Sequence, residues 1–329
     1  MPACRHLKSM QKDWIGTTEV KITQPTVVSI GKFDGEHMGH QKIFETMRGI
    51  SEKEGYATAV FTFGTPPAAV VEGSDKAQIN TNAERRKRLH EAGIEYIVEY
   101  PFTPEIAAMS GERFVKEVLL SKMNMKAVVA GPDCAFGKAK SGNAALLMKL
   151  GPELGFRPVI IEKRKDGDRD ISSTYIREEL RNGNIRKANE LLGAVYSIEG
   201  TVTHGNRIGG SRLGFPTVNL MVPAGKLLPR FGVYATTVEL PDGREYRGIT
   251  NVGDNPTVEG DRLGHIARIE TFLIDFSGDL YDKTVTVRFR DFLRPEKKFA
   301  DLDALKAQIA KDIAAMNHMR DCQDDADGR

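Results

Sequence analysis

The stretch 27–44, VVSIGKFDGEHMGHQKIF, reads as a short apolar strand, a glycine-containing turn and the start of a helix. A Val/Ile strand with no polar face is buried on both sides, which is what helices packed over a parallel sheet produce. The pattern recurs. TVVSIG, ATAVFTF, EYIVEY, KAVVAG and RPVIIEK have strand length, and HQKIFETMRGISEKEG, NAERRKRLHEAG, SGERFVKEVLLSKM and GNAALLMKLGPELG separate them as helices. Gly55 and Gly93 stand where helices end. The first half is expected to be α/β.

Around Leu191 the grammar changes. YSIEGTVTHG, GVYATTVEL, REYRGITNVG, IARIETFLIDF and TVTVRFRDFL follow one another without helices between them. Val285, Val287 and Phe289 alternate with polar residues, as in a half-buried antiparallel strand, and PDGRE supplies a hairpin turn. DLDALKAQIAKDIAAM then reads as a closing helix with an Asp cap and Leu302, Leu305, Ile309 and Ile313 at helical spacing. Two domains are expected, 15–190 as α/β and 191–318 as an antiparallel barrel or sandwich with one helix.

A chain of 329 residues with 40% apolar and 28% charged residues suits two soluble cores. No run approaches the ~20 apolar residues of a membrane span, and the N-terminus has no secretory apolar segment. Cys4, Cys134 and Cys322 form no paired motif, so a reducing cytoplasm is the expected setting. A net charge of +2 argues against a dedicated nucleic-acid binder, and the basic run ERRKR reads as a solvated helix face.

His37 and His40 fall at the entrance of the first helix, on one face. Free N–H groups and the dipole favour phosphate there, and two imidazoles could stabilise charge on a breaking pyrophosphate bond. The spacing alone also fits a solvated helix start or a metal site, though no Asp/Cys cluster completes the latter. Ser172, Ser173 and Thr174 precede another helix, with Arg177 one turn in, which suits phosphate or an ordinary cap.

In the second half, THGNRIGGSRLGFPTVNL carries four glycines, Gly205 and Gly214 among them, before Pro216. Glycines let backbone wrap a phosphate chain, and a strand's first residue can spare the amide that proline lacks. Thr217 and Asn219 then share a face where two neutral oxygens could ligate Mg²⁺ beside ATP phosphates; a glycine-rich hairpin is the other reading. Strand parity sets Glu270 beside Phe272, Ile274 and Phe276. A carboxylate on an apolar face suits a general base, or a partner for Arg268 or Arg294.

The string IGKFDGEHMGHQ resembles the H-x-G-H signature of the nucleotidylyltransferase superfamily, in its flavin adenylyltransferase form. The resemblance implies a Rossmann-like nucleotidylyltransferase sheet, with His37 and His40 on ATP phosphates and Gly31, Phe33, Gly39, Ser173, Thr174 and Arg177 around the nucleotide. It sets Asp133 and Phe136 near the flavin. Gly64 and Thr65 stand in the first two places of an Asp-Pro-His-Pro-like segment, and Cys134 and Ala135 where Phe and Arg are common.

From residue 196 to 315 the motifs GFPTVNL, GVYATTV, GITNVGDNPTV, IETFLIDFSGDLYDKTVTVRF and FLRPEKKFADLDALKAQIAKDI resemble riboflavin kinase in order, with Val218 where Ala is common. That resemblance implies a six-stranded antiparallel β-barrel with a closing helix. It also implies Mg-ATP at Thr217 and Asn219, with Gly205 and Gly214 on its phosphates, Arg294 on the flavin and Glu270 as the base on the riboflavin 5′-hydroxyl. Together the two imply the bacterial bifunctional riboflavin kinase/FAD synthetase family. Riboflavin, FMN and ATP would be its small-molecule partners, with Mg²⁺ in both sites and neither nucleic acid nor membrane. A kinase with a degenerate or differently specific first domain, and a barrel that only senses flavin or nucleic acid, are the competing readings.

Overall fold

A computed structural model describes residues 11–65, 77–203, 217–255 and 266–327. The chain divides into two compact units, Met1–Ser173 and Thr174–Arg329.

The first unit is a six-stranded parallel sheet in the order β1-β4-β3-β2-β5-β8, formed by β1 (Lys12–Ile15), β2 (Thr26–Ile30), β3 (Ala57–Phe63), β4 (Tyr96–Tyr100), β5 (Met125–Ala130) and β8 (Arg157–Ile160). Two short strands between the last two, β6 (Ala135–Phe136) and β7 (Gly142–Asn143), pair with each other, as do β9 (Lys165–Asp166) and β10 (Arg169–Asp170) after β8. Alternate side chains feed two separate cores. Val27, Val60, Ile97 and Val129 pack with Phe44 and Met47 of α1 (Met38–Glu54) and with Leu89 of α2 (Asn82–Glu91). Val28, Phe61, Val98 and Val128 pack on the other face with Phe114, Val118, Leu147 and Leu150. Double coverage is what the apolar strand runs demanded.

Local signals set the ends. Gly55 closes α1 in the left-handed region at φ 73°, and Thr81 and Glu84 form a reciprocal capping box at the start of α2. The sequence reading missed β1, a four-residue edge strand too short and too exposed to show a pattern. Its Asp13 is held 2.8 Å from His90 Nε2 of α2.

The second unit is a closed six-stranded barrel in the order β11-β12-β15-β14-β13-β16. Its strands are β11 (Ser197–Thr203), β12 (Thr217–Met221), β13 (Gly232–Glu239), β14 (Glu245–Asn255), β15 (Ile266–Leu273) and β16 (Thr284–Arg294), with antiparallel neighbours throughout. Val202, Val218, Val238, Val252, Ile269, Val287 and Phe289 are buried within it. Three buried hydroxyls, Thr236, Thr250 and Thr271, hydrogen-bond in a row at 2.8 Å each, and Thr236 also donates to Gly248 O. Because β15 stops at Leu273, Ile274 and Phe276 lie beyond the strand, and Phe276 meets Tyr246 edge-on.

The last helix, Leu302–Asp327, packs Ile309, Ile313 and Met316 on an outer barrel face at Val233, Ile249 and Phe272. Asp312, 3% exposed, accepts Arg294 Nε at 2.9 Å and Nη2 at 2.9 Å, and Gln308 Nε2 at 2.9 Å.

Two helices precede the barrel strands, Ser173–Asn182 and Ile185–Leu192. The expected boundary at 190/191 falls inside the second of them. That helix buries Ile185, Ala188, Leu191 and Leu192, while Asn189 donates to Phe289 O at 2.9 Å and accepts Tyr196 N at 2.7 Å. A fragment of residues 174–329 is therefore expected to melt cooperatively. A fragment of residues 191–329 should be less stable by roughly 3 kcal/mol or more, from lost apolar burial and two lost hydrogen bonds. Denaturant titration of both fragments checks this.

Candidate active sites

The first site sits at the carboxyl end of β2, where neighbouring strands are reached by connections running to opposite sides. β2 leads to β3 on one side, and β5 flanks it on the other. Such reversals are where open parallel sheets hold ligands. The turn from β2 into α1 is tightly wound: Phe33 and Glu36 have φ 48° and 36°, with Gly35 between them at 88°. Two non-glycine residues in the left-handed region cost about 1–3 kcal/mol each unless their surroundings hold them. Asp34 anchors the turn, its Oδ1 accepting Asn80 N at 3.1 Å and its carbonyl accepting Ser173 Oγ at 2.7 Å. Gly31 N donates to Phe61 O at 3.1 Å.

His37 is the N-cap of α1, and its side chain makes no capping bond. Its ring folds back over Gly39, where a Cβ would lie 3.1 Å from two ring atoms, so the glycine makes room for the imidazole. The His37 and His40 rings stack at 3.8 Å, and Phe33 tilts against His40 at 5.2 Å. Burial pushes His37 down to about 4, partly opposed by the nearby Asp133 carboxylate. His40 lies well below the usual histidine range, through burial and then His37. Burial pushes the Glu36 carboxyl up to about 8, opposed by Arg88 and Arg85 and reinforced by Glu91 and Asp34. The two imidazoles and the Glu36 carboxyl are thus held toward their neutral forms at the positive end of a 17-residue helix, with the charges of Asp34, Arg85 and Arg88 close by.

Among the described residues, the buried side-chain N and O atoms without a partner gather here. They belong to Glu36, His37 and His40 at the start of α1, Thr62 at the end of β3, and Asn80, Asn82 and Arg85 at the start of α2. Buried polar groups are ordinarily paired, so their concentration points to a partner from outside the chain.

The other expected residues of this site divide. Asp133 is exposed and pairs with Lys163 at 3.1 Å. Phe136 is buried on Phe114 and against Gly142. Cys134 is half-buried, which pushes its thiol up to about 11, and Ala135 is exposed on β6. Thr174 and Arg177 follow Ser173 on a helix counted with the second unit; Thr174 is exposed and Arg177 half-buried.

The basic run ERRKR is not wholly a solvated face. Arg85 is 3% exposed and donates to Glu99 Oε2 at 3.2 Å, Phe63 O at 3.3 Å and Lys32 O at 3.4 Å. Composition hid this, because the partner lies on another strand. No three His, Cys, Asp or Glu side chains among the described residues gather as a metal site.

The barrel site is a row across three strands. Asn219, Glu270 and Asn251 are direct register partners, and Thr217, Phe272 and Ile249 form the next row on the same face. Asn219 Oδ1 accepts Arg268 Nε at 3.0 Å and Nη2 at 2.6 Å, and the same guanidinium lies 3.4 Å from Glu270. Asn251 donates to Glu296 at 3.1 Å. This face borders a cavity of about 250 Å³ lined by Thr217, Glu270, Phe272, Arg294, Phe299 and Asp312, among others. Thr217 and Asn219 thus offer two neutral oxygens on one face, the kind of ligand Mg²⁺ takes beside phosphates, but the Asn219 oxygen is occupied by Arg268, which has to move aside before a cation can bind there. The register row also brings in Asn251, which strand parity could have found. Gly205 and Gly214 lie outside the described residues.

The sequence pattern of the FAD synthetase family matches residues 19–175, and that of the riboflavin kinase family matches residues 192–320. A bifunctional riboflavin kinase/FMN adenylyltransferase of Escherichia coli K12 is 34% identical over 288 residues, covering 87% of this chain and 90% of the relative. One from Listeria monocytogenes is 32% identical over 288 residues, with coverage of 87% and 90%. The crystal structure of a Streptococcus pneumoniae protein described as a macrolide-efflux protein aligns with a TM-score of 0.84 at 30% identity, over 94% of this chain and 99% of that one. With both family patterns present and relatives above 30% identity matched over most of their length, the chain belongs to the bifunctional riboflavin kinase/FMN adenylyltransferase family.

Proposed function

We propose that the barrel unit phosphorylates riboflavin to FMN and that the parallel-sheet unit adenylylates FMN to FAD, each with ATP. The observation that carries the second assignment is the stacked, neutral histidine pair with unpartnered ring nitrogens at the start of α1. In that step an FMN phosphate oxygen attacks the α-phosphorus of ATP, and the bond to pyrophosphate breaks. His37 and His40 donate N–H to the phosphate oxygens where charge builds, in a water-poor site where such bonds are strong. Gly31, Phe33 and Gly39 shape the turn around the nucleotide. Ser173 completes the phosphate contacts within this unit, Thr174 and Arg177 stay the phosphate-binding candidates that the resemblance implies, and Asp133 and Phe136 bound the flavin side.

In the barrel, Glu270 takes the proton of the riboflavin 5′-hydroxyl as that oxygen attacks the γ-phosphorus, and ADP leaves. The carboxylate exchanges Arg268 for the hydroxyl when substrate enters. Thr217 and Asn219 would hold Mg²⁺, which when bound neutralises charge on the ATP phosphates. Gly205 and Gly214, outside the described residues, are the phosphate-binding candidates that the resemblance implies. The cavity beside Phe272 and Arg294 would take the flavin ring.

Replacing both His37 and His40 with Ala is expected to lower FAD formation by ~10²-fold or more, with riboflavin phosphorylation unchanged. Chromatography of FMN and FAD from one incubation reads both rates. Glu270→Gln should retain riboflavin binding yet lose ~10²–10⁴-fold in kinase turnover, while still converting supplied FMN to FAD. Equal turnover would remove Glu270 from the chemistry.

The raised Glu36 gives a stability signature. Its folded value of about 8 exceeds the ordinary 4.5, so its contribution is fully present below pH 4.5 and is lost as pH rises through 8. Glu36→Gln, neutral in both states, should therefore raise the melting temperature more at pH 8 than at pH 5. Thermal melts at the two pH values check the sign.

A further inference from the structure

We infer that the buried Arg85–Glu99 pair is a positioning device for adenylyl transfer, one that ties three strand ends together and fixes the turn carrying the histidines. The inference rests on the reading of His37 and His40 given above. Arg85 reaches three strands with one planar fork: Lys32 O just past β2, Phe63 O at the end of β3, and Glu99 Oε2 on β4. Glu99 is 4% exposed and also accepts Arg86 Nη1 at 3.0 Å. Its other oxygen lies against Gly64, where a Cβ would come within 3.2 Å, so residue 64 leaves room for the carboxylate.

Stability alone does not explain such a pair. Two buried charges are costly to desolvate, and apolar residues of similar volume commonly serve a core as well or better. What the pair holds is informative. The turn after β2 carries two strained non-glycine residues, Phe33 and Glu36. It is pinned at Asp34 by Asn80 and Ser173, and at Lys32 by Arg85. Without the Lys32 tether one end of the turn is free to relax its strain, and the imidazoles follow. Catalysis by aimed donors is sensitive to shifts of about 1 Å, which can cost ~10²-fold in rate. Arg85 does not touch the reactants in this account; it acts through the turn. Lysine is a poor substitute, because a single ammonium lacks the planar fork that spans separated acceptors.

The test uses the full chain, with the riboflavin kinase reaction as an internal control. Arg85→Met should lower kcat for converting supplied FMN to FAD by ~30–100-fold, with KM for ATP and FMN within ~3-fold, and leave FMN formation unchanged. Arg85→Lys should restore no more than about a tenth of the lost kcat. The double variant Arg85→Met/Glu99→Leu removes both buried charges, so its melting temperature should recover while kcat stays low. Recovery of kcat together with stability would overturn the proposal and leave the pair a structural element. An unchanged kcat in Arg85→Met would overturn it as well. Failure of the underlying reading looks different: FAD formation would then survive loss of His37 and His40 themselves.

Discussion

A strand covered on both faces has nowhere to keep a charge except at its ends. Val27, Val28, Val60 and Phe61 are all essentially unexposed, and they divide between two cores. Short polar side chains on β2 are satisfied at once by neighbouring backbone, Thr26 and Ser29 donating to the carbonyls of Met123 and Val129. Ionisable groups are driven to the carboxyl edge, where the loops of several strands converge. There Asp34, Glu36, His37, Arg85 and Glu99 lie close together although they come from separate segments. The reactive edge of this unit follows from the apolarity of its middle.

The barrel solves the same problem by turning its polar row outward. Closure fills the interior with Val, Ile, Phe and a run of bonded threonines, so the only face free for Asn219, Glu270 and Asn251 is the outer one. Arg268 is already engaged with two of those groups, bonding Asn219 at 2.6 Å and lying 3.4 Å from Glu270.

Periodicity and turn chemistry were enough to expect five of the parallel strands, the change of grammar and the barrel strands, because each signal is local. β1 escaped because four half-exposed residues at a sheet edge carry no pattern. The length of the last helix was also underestimated, since its apolar spacing ends well before Asp327. Within the candidate sites, the histidine spacing and the parity of Glu270 could be read from neighbours in the chain. Arg85 could not: in ERRKR it is indistinguishable from Arg86 or Lys87, and only the packing of α2 onto the sheet separates the fully buried cation from its more exposed neighbours. The reversal at Glu36, an acidic residue kept neutral, likewise depends on its surroundings rather than its identity.

The last helix is both a strut and a wall. Leu305, Ile309 and Asp312 line the cavity, and Asp312 is also the anchor that holds Arg294. Filling the cavity and fastening the helix are therefore one event, and the local unfolding free energy of that helix becomes a meter for occupancy. Amide exchange along residues 305–313 would report a small molecule entering the barrel's flank without any label on the molecule.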